Sequence, residues 1–234
     1  MTNGEGYFLR QLGILNPRNF RHISLQIVGV GGIGSVVAIE MAKMLQWNQI
    51  IVYDPDKVEE HNISNQIYSR EDIGRAKVDA IREILLEYAV GVSPENVIGK
   101  CGRFEDEKDN VGSSPQIIIV GVDTMESRKR IWERVKYKPN VEGYIEGRMS
   151  PSVLRLYTIR NCCDPNIIRR YEETLYTDEE ALDLPCTAQA VIDAPFIMAG
   201  LIGIQVRKIL MREPLPMEII FDLKNLRIDT ISNT

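Results

Sequence analysis

The stretch SLQIVGVGGIGSVVAIEMAKMLQWNQIIVYD, residues 24–54, constrains the fold more than any other part of the chain. SLQIVGV is a short apolar run closed by glycine, the pattern of a strand buried on both faces, and GSVVAIEMAKMLQ has the mixed apolar spacing of a packed helix. QIIVYD follows at once as a second strand. Strand, helix and strand in this order form a βαβ unit, whose crossover brings both strand ends to one edge of a parallel sheet. In GVGGIG, Gly29, Gly31 and Gly34 hold the three fingerprint places: a tight turn after the strand, close approach of backbone to phosphate, and close helix packing. The amides at the helix start favour an anion. A glycine turn alone can be structural, but Asp54 lies 20 residues after Gly34 at the end of the second strand, where a carboxylate accepts from ribose hydroxyls. The unit therefore reads as a nucleotide site, with NAD and ATP both open at this point.

Downstream, the helix 74–88, strand 114–123, helix 125–137 and strand 143–150 continue the alternation expected of a doubly wound sheet. SVLRLYTIR, 152–160, reads as a strand in a different rhythm, and the polar segment 161–187 as a surface crossover, loop or short helix. The apolar stretch 188–210 carries its charges only near its end and reads as a buried helix on the sheet. MEIIFDLKNLRID closes as a hairpin with a tight LKN turn. The expected fold class is α/β, a Rossmann-like doubly wound sheet with a parallel N-terminal half and an antiparallel C-terminal extension, in a single domain over 1–234 with no internal linker.

A net charge of -5 and a pI near 5.3 argue against non-specific nucleic-acid binding. No apolar run has the length of a signal peptide or spanning helix, so the expectation is a cytoplasmic protein with no membrane partner. The four cysteines include no CxxC pair, so no zinc is expected, and in a reducing compartment they read as thiols. Adjacent Cys162 and Cys163 read as incidental, and Cys101 as a core thiol.

The residues after Asp54 bear on the choice of nucleotide. A dehydrogenase has no evident use for a run of Asp, Asn, Gln and Lys there, whereas a site handling a triphosphate needs cations on phosphate and a carboxylate for magnesium. Asn62, Gln66, Lys77 and Asp123 can provide donors, a charge and a metal ligand from one sheet edge, Asp123 standing directly after the strand QIIIVGV.

RQLGI, GVGGIG, YDPDKVEEHNISNQ, GRAKVDA and VGVDTMESR, in this order and at these spacings, resemble the adenylation domain of the ThiF/MoeB/HesA family, in the ubiquitin-activating-enzyme superfamily. The resemblance runs from about Arg10 to about Leu210. It implies ATP and Mg2+ as cofactors and adenylation of the C-terminal glycine carboxylate of a ubiquitin-like or sulfur-carrier protein, with pyrophosphate released. It further implies that Asp54 holds the ribose, Asp56 supports the loop, Asn62, Gln66 and Lys77 contact the phosphates, and Asp123 binds magnesium. Arg10 matches an arginine that reaches the neighbouring subunit's triphosphate in homodimeric relatives, which implies a homodimer. The other reading of Arg10 is a solvated terminal charge.

The family pattern N-x-x-R-Q stands here as NISNQ, so Asn65 replaces an arginine. Losing a fixed cation opposite pyrophosphate is expected to cost several kcal/mol, a single donor being worth about 2.7–4. Arg70, Arg75 and Arg128 are near in sequence, and a partner is another source. Cys186, in LPCTAQAV before the long apolar segment, resembles the family cysteine that captures the acyl group as a thioester. A helix N-terminus lowers a thiol pKa, while plain packing is the bland reading. A conjugating enzyme would then act next. Arg148 orients a substrate tail or forms a structural ion pair, and His61 makes a loop hydrogen bond. His22 carries no assignment. Three further readings stay open: a catalytically impaired scaffold or dimer partner of an active subunit, adenylation of a tRNA-bound or peptide carboxylate, and an NAD-dependent enzyme.

Overall fold

The computed structural model describes residues 6–107, 110–176 and 190–232. Eight strands form one sheet in the order β3-β2-β1-β4-β5-β6-β7-β8. The strands are β1 (Ser24–Val28), β2 (Ile50–Tyr53), β3 (Val97–Lys100), β4 (Gln116–Val120), β5 (Val141–Met149), β6 (Val153–Ile159), β7 (Glu218–Asp222) and β8 (Arg227–Ile231). β3 through β5 pair in parallel and β5 through β8 antiparallel, which is the expected division. The helices are α1 (Gly32–Met44), α2 (Lys77–Tyr88), α3 (Met125–Val135), α4 (Pro165–Glu172) and α5 (Asp193–Leu210).

Strand alternation sorts the core into two layers. Leu25 and Ile27 of β1 and Ile117 and Ile119 of β4 pack with α1, α2 and α5. Val28, Ile118 and Val120 point the other way, toward Ile131 and Trp132 of α3 and Tyr171 of α4. Both faces of the central strands are thereby covered, as parallel strands require.

The structure departs from the sequence reading at several points. β3 was not foreseen, because VIGK is four residues long and carries a glycine and a lysine. Cys101 is exposed just beyond β3 instead of lying in the core; Cys162 is the buried thiol, and burial pushes it up to about 12. α5 buries one face on α1, β5 and β6, while Phe196 and Ile204 face outward. The polar crossover contains α4, N-capped by Asp164. The hairpin turn spans four residues, 223–226, with Leu226 at φ 52. No helix among the described residues is long and apolar enough to cross a membrane.

Candidate active site

Every parallel strand ends toward one edge, and the loops that follow β1, β2, β3 and β4 line a cleft there of about 580 Å3. Its floor is the glycine loop. Gly29 has φ +83, and a β-carbon on it would sit 3.1 Å from the Gly121 carbonyl. A β-carbon on Gly34 would lie 1.9 Å from the Gly29 carbonyl oxygen, so helix α1 starts against the turn only because Gly34 has no side chain. Gly31 differs: the nearest atom to its β-carbon would be Gln66 Nε2 at 3.9 Å, which leaves its face open to a ligand. Gly31 and Gly32 line the cleft at the start of α1.

The second wall follows β2. Asp54 is 5% exposed; its Oδ2 accepts from the Val30 amide at 2.8 Å and its Oδ1 from the Asp56 amide at 2.9 Å. Burial raises its pKa, opposed by the Lys77 charge and those two amides. Each carboxylate oxygen has a second lone pair, so Asp54 can still accept from a hydroxyl while fixing the loop. Lys77 opens α2 and is nearly buried, its Nζ 3.0 Å from Asp56 Oδ2 and 3.9 Å from Asp54 Oδ1. Tyr68 donates to the Val30 carbonyl at 2.7 Å, fastening the segment after β2 onto the glycine loop. Asn62 is buried, and its Oδ1 accepts from the Glu59 amide at 2.9 Å in a capping box. Asn65 Oδ1 and Gln66 Oε1 are buried with no hydrogen-bond partner among the described residues, although both residues line the cleft. Buried polar atoms without partners are costly, and a ligand's polar groups would relieve them. His61 is exposed and lies 3.3 Å from Glu59 Oε2, a loop contact.

The third wall is the turn from β4 into α3. Thr124 caps α3 by accepting from the Ser127 amide at 3.2 Å, leaving Asp123 exposed at the cleft. Arg128 holds this turn, donating to the Asp123 carbonyl at 3.1 Å and to the Val122 carbonyl. Its Nε lies 2.9 Å from Glu146 Oε1. Glu146 on β5 is fully buried and also accepts from Arg148 and the Tyr171 hydroxyl. Arg148 in turn donates to the Thr174 carbonyl at 2.8 Å and lies over the Tyr157 ring. Burial alone would push the Glu146 carboxyl up, but the Arg148 and Arg128 charges and the hydrogen bonds outweigh it and hold the group below its ordinary value. Arg148 takes the structural ion-pair role and is absent from the cleft lining.

Of the residues singled out from sequence, Gly29, Gly31, Asp54, Asp56, Asn62, Gln66, Lys77 and Asp123 come together around this cleft, and Gly34 packs beneath it. Arg10 is exposed on the segment before β1 and does not line it. Cys186 lies outside the described residues. Arg75 is engaged with Asp72 at 3.0 Å and Glu83 at 2.6 Å, and neither it nor Arg70 lines the cleft. Sequence reasoning missed Arg103, Phe104 and Ser127; GRFED after an unrecognised strand gave no signal, because its nearness to α3 is tertiary.

Magnesium is held in such sites by one or two carboxylates together with substrate phosphates and water. Among the described residues no three His, Cys, Asp or Glu side chains gather into a metal cluster. Asp123, exposed at the cleft, is a carboxylate of the kind that holds such an ion beside phosphates.

Comparison with known proteins agrees with this architecture. A family model described as "ThiF family" matches residues 8–233. "Ubiquitin-like modifier-activating enzyme 5" of Dictyostelium discoideum is 31% identical over 134 residues, covering 53% of this chain and 35% of that protein. The chain thus matches about a third of that relative's length. Among solved structures, E. coli MccB with AMPCPP and MccA superposes with a TM-score of 0.74 at 18% identity, over 98% of this chain and 72% of that one. E. coli MccB with ATP gives 0.72 at 17% identity, over 100% and 73%. At these identities the structural likeness bears on the fold.

Proposed function

Because the chain belongs to the ThiF family, we propose that its cleft binds ATP and adenylates the C-terminal carboxylate of a small ubiquitin-like or sulfur-carrier protein. The observation that carries this reading is the gathering of the glycine loop, Asp54, Gln66, Lys77 and Asp123 around one cleft at the strand ends. The names of the relatives support it, one an activating enzyme for a ubiquitin-like modifier and one a protein solved with ATP.

In this reading the α1 amides beside Gly31 and Gly32 meet the phosphates, and Asp54 accepts from the ribose while holding the loop. Lys77 leaves Asp56 for the phosphates. Gln66 Nε2, already beside Gly31, donates to a phosphate oxygen, and the Asn65 amide, turned to present its NH2, does the same. Asp123 is the residue that would hold Mg2+, and the ion, when bound, shields phosphate charge and stabilises the departing pyrophosphate. A carboxylate oxygen of the partner attacks the α-phosphorus, the bond to the β-phosphate oxygen breaks, and an acyl adenylate and pyrophosphate result. The protein's contribution is placement and charge rather than covalent chemistry.

Arg10, exposed on the N-terminal segment, serves the neighbouring copy's cleft, which makes the working unit a homodimer. Cys186 receives the acyl group as a thioester, for onward transfer by a conjugating enzyme. The chain works in the cytoplasm.

The test is ATP–pyrophosphate exchange with a glycine-tailed carrier, beside the same carrier bearing a C-terminal amide. Exchange that requires the free carboxylate supports the proposal, and exchange equal with the amide contradicts it. A Cys186→Ser variant that keeps exchange but forms no thiol-sensitive adduct would separate the two steps.

A further inference from the structure

This inference rests on the ATP reading and concerns the charge missing at position 65. Among the described residues, three lysine or arginine side chains line the cleft: Lys77, Arg103 and Arg128. Lys77 is paired with Asp56. Arg128 spends its guanidinium on Glu146 and on the Val122 and Asp123 carbonyls, and withdrawing it would release the turn that carries Asp123.

Arg103 is differently placed. Its neighbour Phe104 is fully buried, packed edge-on against Tyr53 with ring centroids 5.2 Å apart, so the backbone is pinned beside the end of β2. From there the guanidinium crosses to the first turn of α3. Its NH1 lies 3.4 Å from Ser127 Oγ and 3.9 Å from Glu105 Oε1, both at the limit of a contact. The side chain is 52% exposed. Glu105 also has Arg130 3.8 Å away, so releasing Arg103 does not leave that carboxylate alone. An anchored backbone with a loosely held planar cation at its tip suits bidentate capture of phosphate.

We infer that Arg103, reaching across the cleft from the loop after β3, supplies the phosphate-binding cation that Asn65 does not.

The test is titration calorimetry with ATP and Mg2+, and separately with adenosine, on the natural chain, Arg103→Ala, and Arg103→Ala combined with Asn65→Arg, with thermal unfolding to confirm that each is folded. Arg103→Ala is expected to weaken ATP roughly tenfold, as befits a lost hydrogen bond to a charged group, and to leave adenosine unchanged. Asn65→Arg in that background is expected to recover most of the loss. The inference is overturned if Arg103→Ala binds ATP like the natural chain, if ATP and adenosine weaken together, or if Asn65→Arg restores nothing. Failure of the natural chain to bind ATP at all would remove the ATP reading, and this inference with it.

Discussion

Gly34 is held by a steric constraint. An alanine β-carbon would sit 1.9 Å from the Gly29 carbonyl oxygen, and backbone cannot swing aside as a side chain can. Gly34→Ala is therefore expected to lose about 2 kcal/mol or more of stability, visible as a lowered Tm. Gly31→Ala, whose β-carbon would meet only Gln66 Nε2 at an ordinary contact distance of 3.9 Å, should keep its Tm and lose nucleotide affinity. Glu146 poses the electrostatic case. It is the only carboxylate among the described residues bonded to Arg128 and Arg148, and Glu146→Gln leaves two buried guanidinium groups short of a charge. The expected cost is about 3–5 kcal/mol by denaturant unfolding. Because its native pKa is depressed, the stability Glu146 contributes is present above the ordinary value of 4.5 and is lost as pH falls toward the native one. The glycines and Asp54 were legible in sequence because strand ends and the fingerprint spacing fix them locally, whereas Lys77 was read from the polar run after Asp54 and from the family resemblance. Glu146 and Arg148 stand two apart in a buried strand, hence on one face, a signal of pairing that was available. Arg103 and Ser127 meet only through the fold, and no spacing announces that.

Between elements, the contact of α1 with α5 is the informative one. A β-carbon at Gly203 of α5 would lie 2.0 Å from Glu40 Oε1 of α1, so the helices approach closely with a carboxyl between them. Glu40 Oε2 is buried without a hydrogen-bond partner among the described residues, and burial raises the Glu40 pKa to about 7. A raised acid pKa makes folding favour the protonated form, so stability is greatest below the ordinary 4.5 and declines as pH rises to 7. Glu40→Gln should thus stabilise the protein by about 1–3 kcal/mol at pH 8 and make no difference at pH 4, measured by denaturant unfolding at both. The elements themselves were legible where apolar runs were long. β1, β2, β4 and helices α1, α2, α3 and α5 follow the sequence periods, α4 lies in a polar crossover read as loop or short helix, and β3 is short, interrupted by Gly99, and recognisable only through its pairing with β2.

Across the whole molecule, the order β3-β2-β1-β4-β5 brings the βαβ unit and the β4 turn to one edge, while β6, β7 and β8 extend the sheet away from it. That arrangement follows from alternating strands and helices, and the antiparallel half from the changed rhythm after Met149. If the dimer proposal holds, Arg10 and Asp123 of one chain serve different composite sites, so a dimer of one Arg10→Ala chain with one Asp123→Ala chain has both lesions in one site and leaves the other intact. Mixing the two inactive variants should then restore part of the exchange activity, up to roughly a quarter if subunits reassort at random and one intact site per mixed dimer works alone. A strictly monomeric site would give none. The central claim, that this glycine loop serves a triphosphate and not a dinucleotide, is tested most directly by titration calorimetry of the chain with ATP and Mg2+, beside NAD and an Asp123→Ala variant. The account predicts that ATP binds, NAD does not, and the variant loses affinity; NAD binding more tightly than ATP would contradict it.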